Sequence, residues 1–164
     1  ALVDDRLVQL TWQAGEAHVW SRDGFEHRET FRYDGEGWGL CYDGEHLVMS
    51  DGSDRLSFRD PETFRVDHVV RVRDDHGFVE QLNELECVDG VVWANVWQTD
   101  RIVRIDAATG RVTGSVDASG LLEIGERFDA DVLNGIAWIP ERRHFVITGK
   151  LWPWLFEVDF VPAD

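Results

Sequence analysis

A chain of 164 residues is long enough to bury a core and short enough to read as one domain. Its formal charge of −16 argues against nucleic acid or an anionic membrane surface as partner, since both would be repelled. The same charge suits a cationic ligand such as a free peptide amino terminus, although acidic surfaces mostly serve solubility. No apolar run is long enough to span a bilayer, and there is neither a signal-peptide pattern nor an Asn-x-Ser/Thr acceptor. The chain opens at Ala1, without a methionine and directly in strand-like sequence, which reads as a fragment or processed product, so its compartment stays open.

Taken in order, the chain repeats one template. Leu7–Trp12, Leu47–Gly52, Val92–Trp97 and Phe145–Lys150 occupy the same place in it, after turn signals at Asp4-Asp5, Asp43-Gly44, Asp89-Gly90 and Pro140-Glu141. The Asp89-Gly90 pair is a strong hairpin signal, because both residues tolerate the positive φ that two-residue turns between twisted strands need. Successive copies are offset by about 40, 45 and 53 residues, in or near the range of four-stranded propeller blades. A second hairpin follows each first one: around Ser21–Gly24, then Asp54–Arg59 with Phe64–Val72, then Arg101–Asp106 with Arg111–Val116. Helical periodicity is almost absent, and Gly120–Arg127 is the one helical candidate. The pattern predicts an all-β propeller. Trp154–Phe160 is the third strand of the last copy, with no fourth, while Ala1–Asp4 already begins a blade. The expectation is therefore a single propeller domain over residues 1–164 that holds three whole blades and three strands of a fourth. Its closing strand and N-terminal blade would lie upstream.

The template aligns Trp38, Asn83 and Asn134 at the starts of first strands, and Trp12, Trp97 and Lys150 at the ends of second strands. In an antiparallel hairpin these positions share a rim, so both rings face one mouth. Aromatic walls with a few convergent polar groups are a ligand-pocket composition, although any one indole could equally pack between blades. Lys150, flanked by Gly149 and Leu151-Trp152-Pro153-Trp154, reads as a partly buried cation able to stabilise developing negative charge. Asn83 can donate its amide to a carbonyl oxygen. Glu84 and Glu86 alternate onto the face opposite Leu85, leaving Glu84 a minor candidate for the site. The two cysteines, Cys41 and Cys87, sit in apolar strands and read as buried thiols. The six histidines show no metal-ligand spacing and read as solvated. No phosphate loop, nucleophile elbow or Cys-x-x-Cys appears.

The motifs Glu36-Gly-Trp-Gly-Leu40, Asn83-Glu-Leu-Glu86, Asn95-Val-Trp-Gln-Thr-Asp100, Leu133-Asn-Gly-Ile-Ala137 and Gly149-Lys-Leu-Trp-Pro153 together resemble the glutaminyl-peptide cyclotransferase family of the plant and bacterial type, along nearly the whole chain. The resemblance implies a five-bladed β-propeller of four-stranded antiparallel blades, incomplete here, acting as an acyltransferase. Such an enzyme converts the N-terminal glutamine of a peptide or protein to pyroglutamate and releases ammonia, with no cofactor and no catalytic metal. It implies catalytic roles for Asn83, Lys150, Trp38 and Trp97, and substrate contacts from Trp12, Trp38, Trp97 and Asn134. The family's catalytic glutamate, in a Phe-Gly-Glu-Gly motif, would fall just upstream of Ala1. A monomer at full length is expected, and family members are often exported. Two rival readings stand beside this one. The first is a non-catalytic peptide- or ligand-binding propeller. The second is a metal-dependent lactonase-like propeller, since Asn134-Gly-Ile-Ala-Trp138 is similar to a motif of those enzymes. A lysine at the mouth would repel a metal ion there.

Overall fold

The Asp89-Gly90 turn forms as its residues dictate, with φ of 50° and 75°. Val88 pairs with Val91 across it. It joins β11 (Leu82–Val88) to β12 (Val91–Val96), and β13 (Arg101–Asp106) and β14 (Val112–Asp117) complete an antiparallel four-stranded sheet in sequence order. The computed structural model describes residues 1–162 and repeats this sheet. Blade 1 is β1 (Leu2–Val3), β2 (Arg6–Leu10), β3 (Glu16–Ser21) and β4 (His27–Arg32); blade 2 is β5 (Gly39–Tyr42), β6 (Leu47–Ser50), β7 (Arg55–Arg59) and β8 (Val66–Arg71). A two-stranded hairpin, β9 (Arg73–Asp74) and β10 (Gly77–Phe78), leads into blade 3. Blade 4 has three strands: β15 (Leu133–Ile139), β16 (His144–Gly149) and β17 (Phe156–Val158). The result is an all-β, propeller-like set of four small sheets, as the repeat predicts.

The outer hairpins use the same turn chemistry in consecutive blades. The Asp60 carboxylate accepts from the Thr63 backbone N–H at 2.7 Å and its hydroxyl at 2.8 Å. Asp106 does the same for Thr109 at 2.9 and 2.7 Å. These bonds satisfy turn amides that would otherwise lack partners. β3 alternates half-buried and buried residues and β6 is buried throughout, whereas the outermost β4 and β8 are largely exposed. The core lies between the blades: Val48, Leu56 and Phe58 pack with Leu82, Leu85, Val92 and Ile105 between blades 2 and 3. Trp93, Trp138, Phe145 and Phe160 do the same between blades 3 and 4.

Two expectations are corrected here. Cys41 and Cys87 are not separate thiols but a disulfide, with Cα atoms 5.5 Å apart, joining the inner strands of blades 2 and 3. The segment expected as a helix at Gly120–Arg127 forms only a 3-10 turn at Glu126–Phe128. Gly120 adopts a φ of 81°, and the stretch between it and Gly125 is too short to offset the cost of a helical nucleus.

Candidate active site

The mouth is built by β-bulges. In blade 3, Leu82 pairs with Val96 and Leu85 with Ala94, so Asn83 and Glu84 together oppose Asn95. In blade 4, Asn134 and Gly135 likewise oppose Thr148 between the Leu133–Gly149 and Ile136–Ile147 pairs. Such an extra residue bends the strand and re-aims its side chains. Neighbouring blades hold the bulges in place. The Ser50 hydroxyl donates to the Asn83 carbonyl at 2.7 Å, the Gly135 N–H to Asn95 Oδ1 at 3.1 Å, and the Glu84 N–H to Asn134 Oδ1 at 3.2 Å. Gly39 is needed at this junction, because a Cβ there would collide with the Asn83 carbonyl.

Trp12, Trp38, Asn83, Trp97, Asn134 and Lys150 line one pocket of about 350 Å³, with Gly37 and Val132 filling the wall. The structure thus brings together every residue singled out for the mouth. Asn83 is 8% exposed, and among the described residues its side-chain amide makes no hydrogen bond where it lines the pocket. Trp38 stands edge-on to Trp97, with ring centroids 5.3 Å apart. Its other face rests on Gly52, where a Cβ would come within 2.7 Å of the ring.

Sequence reasoning missed the role of Glu36. One oxygen of its carboxylate accepts the indole N–H of both Trp12 and Trp38, each at 2.8 Å, and the other accepts the Gln13 amide at 3.2 Å. These donors, Trp38 foremost, hold its pKa below the ordinary carboxylate value. Glu36 thereby ties together two pocket walls from different blades. Its place beside Trp38 in Glu36-Gly-Trp-Gly-Leu40 was the available signal.

One further expectation changes. Lys150 is not partly buried: its side chain is 68% exposed, with the ammonium 3.6 Å from Asp131. The aromatic residues around it turn elsewhere, Trp152 donating its indole N–H to the Asp131 carbonyl at 2.8 Å and Trp154 lying exposed. Glu84 stays outside the tryptophan pocket and faces a neighbouring apolar cleft of about 590 Å³ with Leu7–Leu10, Trp20 and Leu40. Burial raises the pKa of Glu84 to about 7, opposed by the Ala1 amine and reinforced by Glu86. Burial raises Glu86 to about 7 as well, against a hydrogen bond with the Trp138 backbone and the same amine.

A carboxyl raised from 4.5 to about 7 on folding keeps a proton that the unfolded chain has released. Its stabilising contribution is complete below about 4.5 and is lost as pH rises to about 7. The carboxylates held low by hydrogen bonds, such as Asp60 and Asp74, titrate below this window. The contribution of these two carboxyls to the melting temperature is therefore expected to fall between these pH values, and Glu84→Gln with Glu86→Gln to remove that part of the slope. An unchanged slope in differential scanning calorimetry would show that these carboxyls do not set it.

Fold and pocket define a propeller-like protein with an aromatic, amide-lined pocket at one mouth. A profile of the family described as glutamine cyclotransferase matches residues 1–160, and the chain belongs to that family. It is 39% identical over 168 residues to the glutaminyl-peptide cyclotransferase of Arabidopsis thaliana, covering 99% of this chain and 52% of that protein. A crystal structure of Myxococcus xanthus glutaminyl cyclase superposes with a TM-score of 0.86 at 45% identity, covering 96% of this chain and 69% of that one. The chain thus spans about half the length of the curated relative it matches.

Proposed function

We propose that this chain carries the substrate pocket of a glutaminyl-peptide cyclotransferase, which closes an N-terminal glutamine to pyroglutamate and releases ammonia. The observation that carries this reading is the convergence of Trp12, Trp38, Trp97, Asn83, Asn134 and Lys150 on one pocket. The α-amine attacks the side-chain amide carbon of the same residue, the C–N bond of the ring forms, and the amide nitrogen leaves as ammonia. Indole walls favour the bent conformer from which attack occurs, replacing a conformational search with a shaped site. Oxygen gains charge as the carbon becomes tetrahedral, and the Lys150 ammonium with the Asn83 amide are the donors to receive it. The proton lost by the amine must reach the departing nitrogen. Among the described residues the pocket wall holds no carboxylate, and we assign this transfer, worth about 10²–10⁴-fold, to the glutamate that the family resemblance puts upstream.

On this reading the whole domain is a five-bladed propeller of which the four sheets here are part, and it works as a monomer. The Cys41–Cys87 disulfide favours an oxidising compartment, in line with export. Glu36 is a positioning residue: Glu36→Gln weakens the shared acceptor of two indoles and is expected to raise KM on the order of tenfold, with a smaller change in kcat. A KM equal to wild type would free the indoles from this dependence.

The test is ammonia release from a glutamine-initiated dipeptide, by this chain and by the longest form in which the protein is made, with and without a chelator. Release by the longer form, unaffected by chelator, supports the cyclotransferase. Release by neither, with both folded, overturns the cyclotransferase and leaves a binding propeller or the lactonase-like alternative, the latter marked by hydrolysis of a lactone that a chelator abolishes.

A further inference from the structure

We infer that blade 2 carries a site for a divalent borderline-soft cation, zinc foremost, formed by His46, Asp67 and His68 at the end of the blade away from the pocket. Trp38 precedes β5, whereas His46 ends the turn that follows it, so the two sites lie at opposite ends of that strand. Among the described residues, these three side chains offer ligand atoms that all lie within 4.8 Å of one another. His68 Nδ1 is 2.9 Å from Asp67 Oδ2, and His46 Nε2 is 3.8 Å from the same oxygen. Ligands about 2.0–2.1 Å from a tetrahedral zinc stand about 3.3 Å apart, so a small contraction suffices.

The backbone and the packing prepare this arrangement. Neighbours along a regular strand point to opposite faces, which would separate Asp67 from His68. Here Arg59 pairs with Val66 and Phe58 with His68, leaving Asp67 as the extra residue of a bulge that turns it toward its neighbour. His68 stacks on buried Phe58 at 4.4 Å, and His46 meets the same ring edge-on at 6.0 Å. Asp43 fixes the turn, its Oδ1 accepting the backbone N–H of Glu45 at 2.8 Å and of His46 at 2.6 Å. Its other oxygen lies 3.8 Å from His46 Nδ1, from where a small shift would make the carboxylate–imidazole hydrogen bond that directs the opposite ring nitrogen to a metal. Two imidazoles and one carboxylate suit zinc rather than magnesium or calcium, which favour all-oxygen sites. On binding, the ion sits between His68 Nδ1 and Asp67 Oδ2; any proton on Nδ1 is released to solvent, and the neutral imidazole that ligates through Nδ1 carries its proton on Nε2. Three protein ligands leave the fourth position to water. The ion would tie the β5–β6 turn to the outermost strand of the blade.

The experiment is calorimetric titration of tag-free, folded protein with zinc sulfate, with each variant checked by far-UV circular dichroism. One zinc per chain is expected, with a melting temperature that rises with zinc concentration and no competition from magnesium. His46→Ala and His68→Ala are each expected to abolish this binding, and Asp43→Asn to weaken it about tenfold. His18→Ala, at a separate histidine pair on blade 1, should bind as wild type does. Absence of stoichiometric binding by the wild type would overturn the proposal. So would binding that survives the loss of both His46 and His68, or that disappears with His18→Ala.

Discussion

Replacing Lys150 with alanine is expected to lower kcat for a glutamine-initiated dipeptide by about 10²–10³-fold, the loss typical of one donor to a developing oxyanion, while KM changes little. The lysine is held by its backbone. Its N–H donates to the Val132 carbonyl at 2.9 Å, and its carbonyl accepts the Asp131 N–H at 2.9 Å. The side chain, by contrast, is mostly exposed and only loosely paired with Asp131. An ammonium left in that state meets a neutral ground-state amide weakly and a charged tetrahedral oxygen strongly, so its contribution falls on kcat rather than on binding. The form assayed is the one that shows ammonia release. An unchanged kcat would remove Lys150 from the oxyanion role, and a raised KM with unchanged kcat would make it a binding residue.

Breaking the Cys41–Cys87 bridge, by reduction or by Cys41→Ser with Cys87→Ser, is expected to lower the melting temperature by about 10 °C. The cysteines are 46 residues apart. Closing a loop of that length in the unfolded chain corresponds to about 4 kcal/mol in the chain-entropy account. Both residues lie on inner strands at the apolar seam between blades 2 and 3. The bridge therefore ties two neighbouring sheets together across their shared core, and calorimetry of the oxidised and reduced protein would measure its effect. Equal melting temperatures would mean that this seam holds without the bridge.

The disulfide also shows how far a repeat can be read. Trp38 and Asn83 are 45 residues apart, one blade, and the bulge at Asn83–Glu84 adds one residue. Cys41 and Cys87 are therefore equivalent positions on adjacent inner strands. The repeat held this signal, but the extra bulge residue was not visible in a pattern that assumes strict alternation. The same assumption separates Asp67 from His68, which a second bulge brings together.

Local chemistry by itself determined the strand order, the Asp-Gly and Asp-x-x-Thr turns, the blade count of this chain and the six residues of the mouth. Each of those follows from the period of the pattern or from the φ that a turn residue tolerates, and both are properties of a few consecutive residues. Tertiary structure alone decided the sulfur pairing, the exposure of Lys150, the Glu36 carboxylate shared by two indoles, and the meeting of His46 with Asp67 and His68. Those depend on register shifts of one residue and on side chains from separate strands or blades converging in space. Periodicity averages over the first and carries no information about the second.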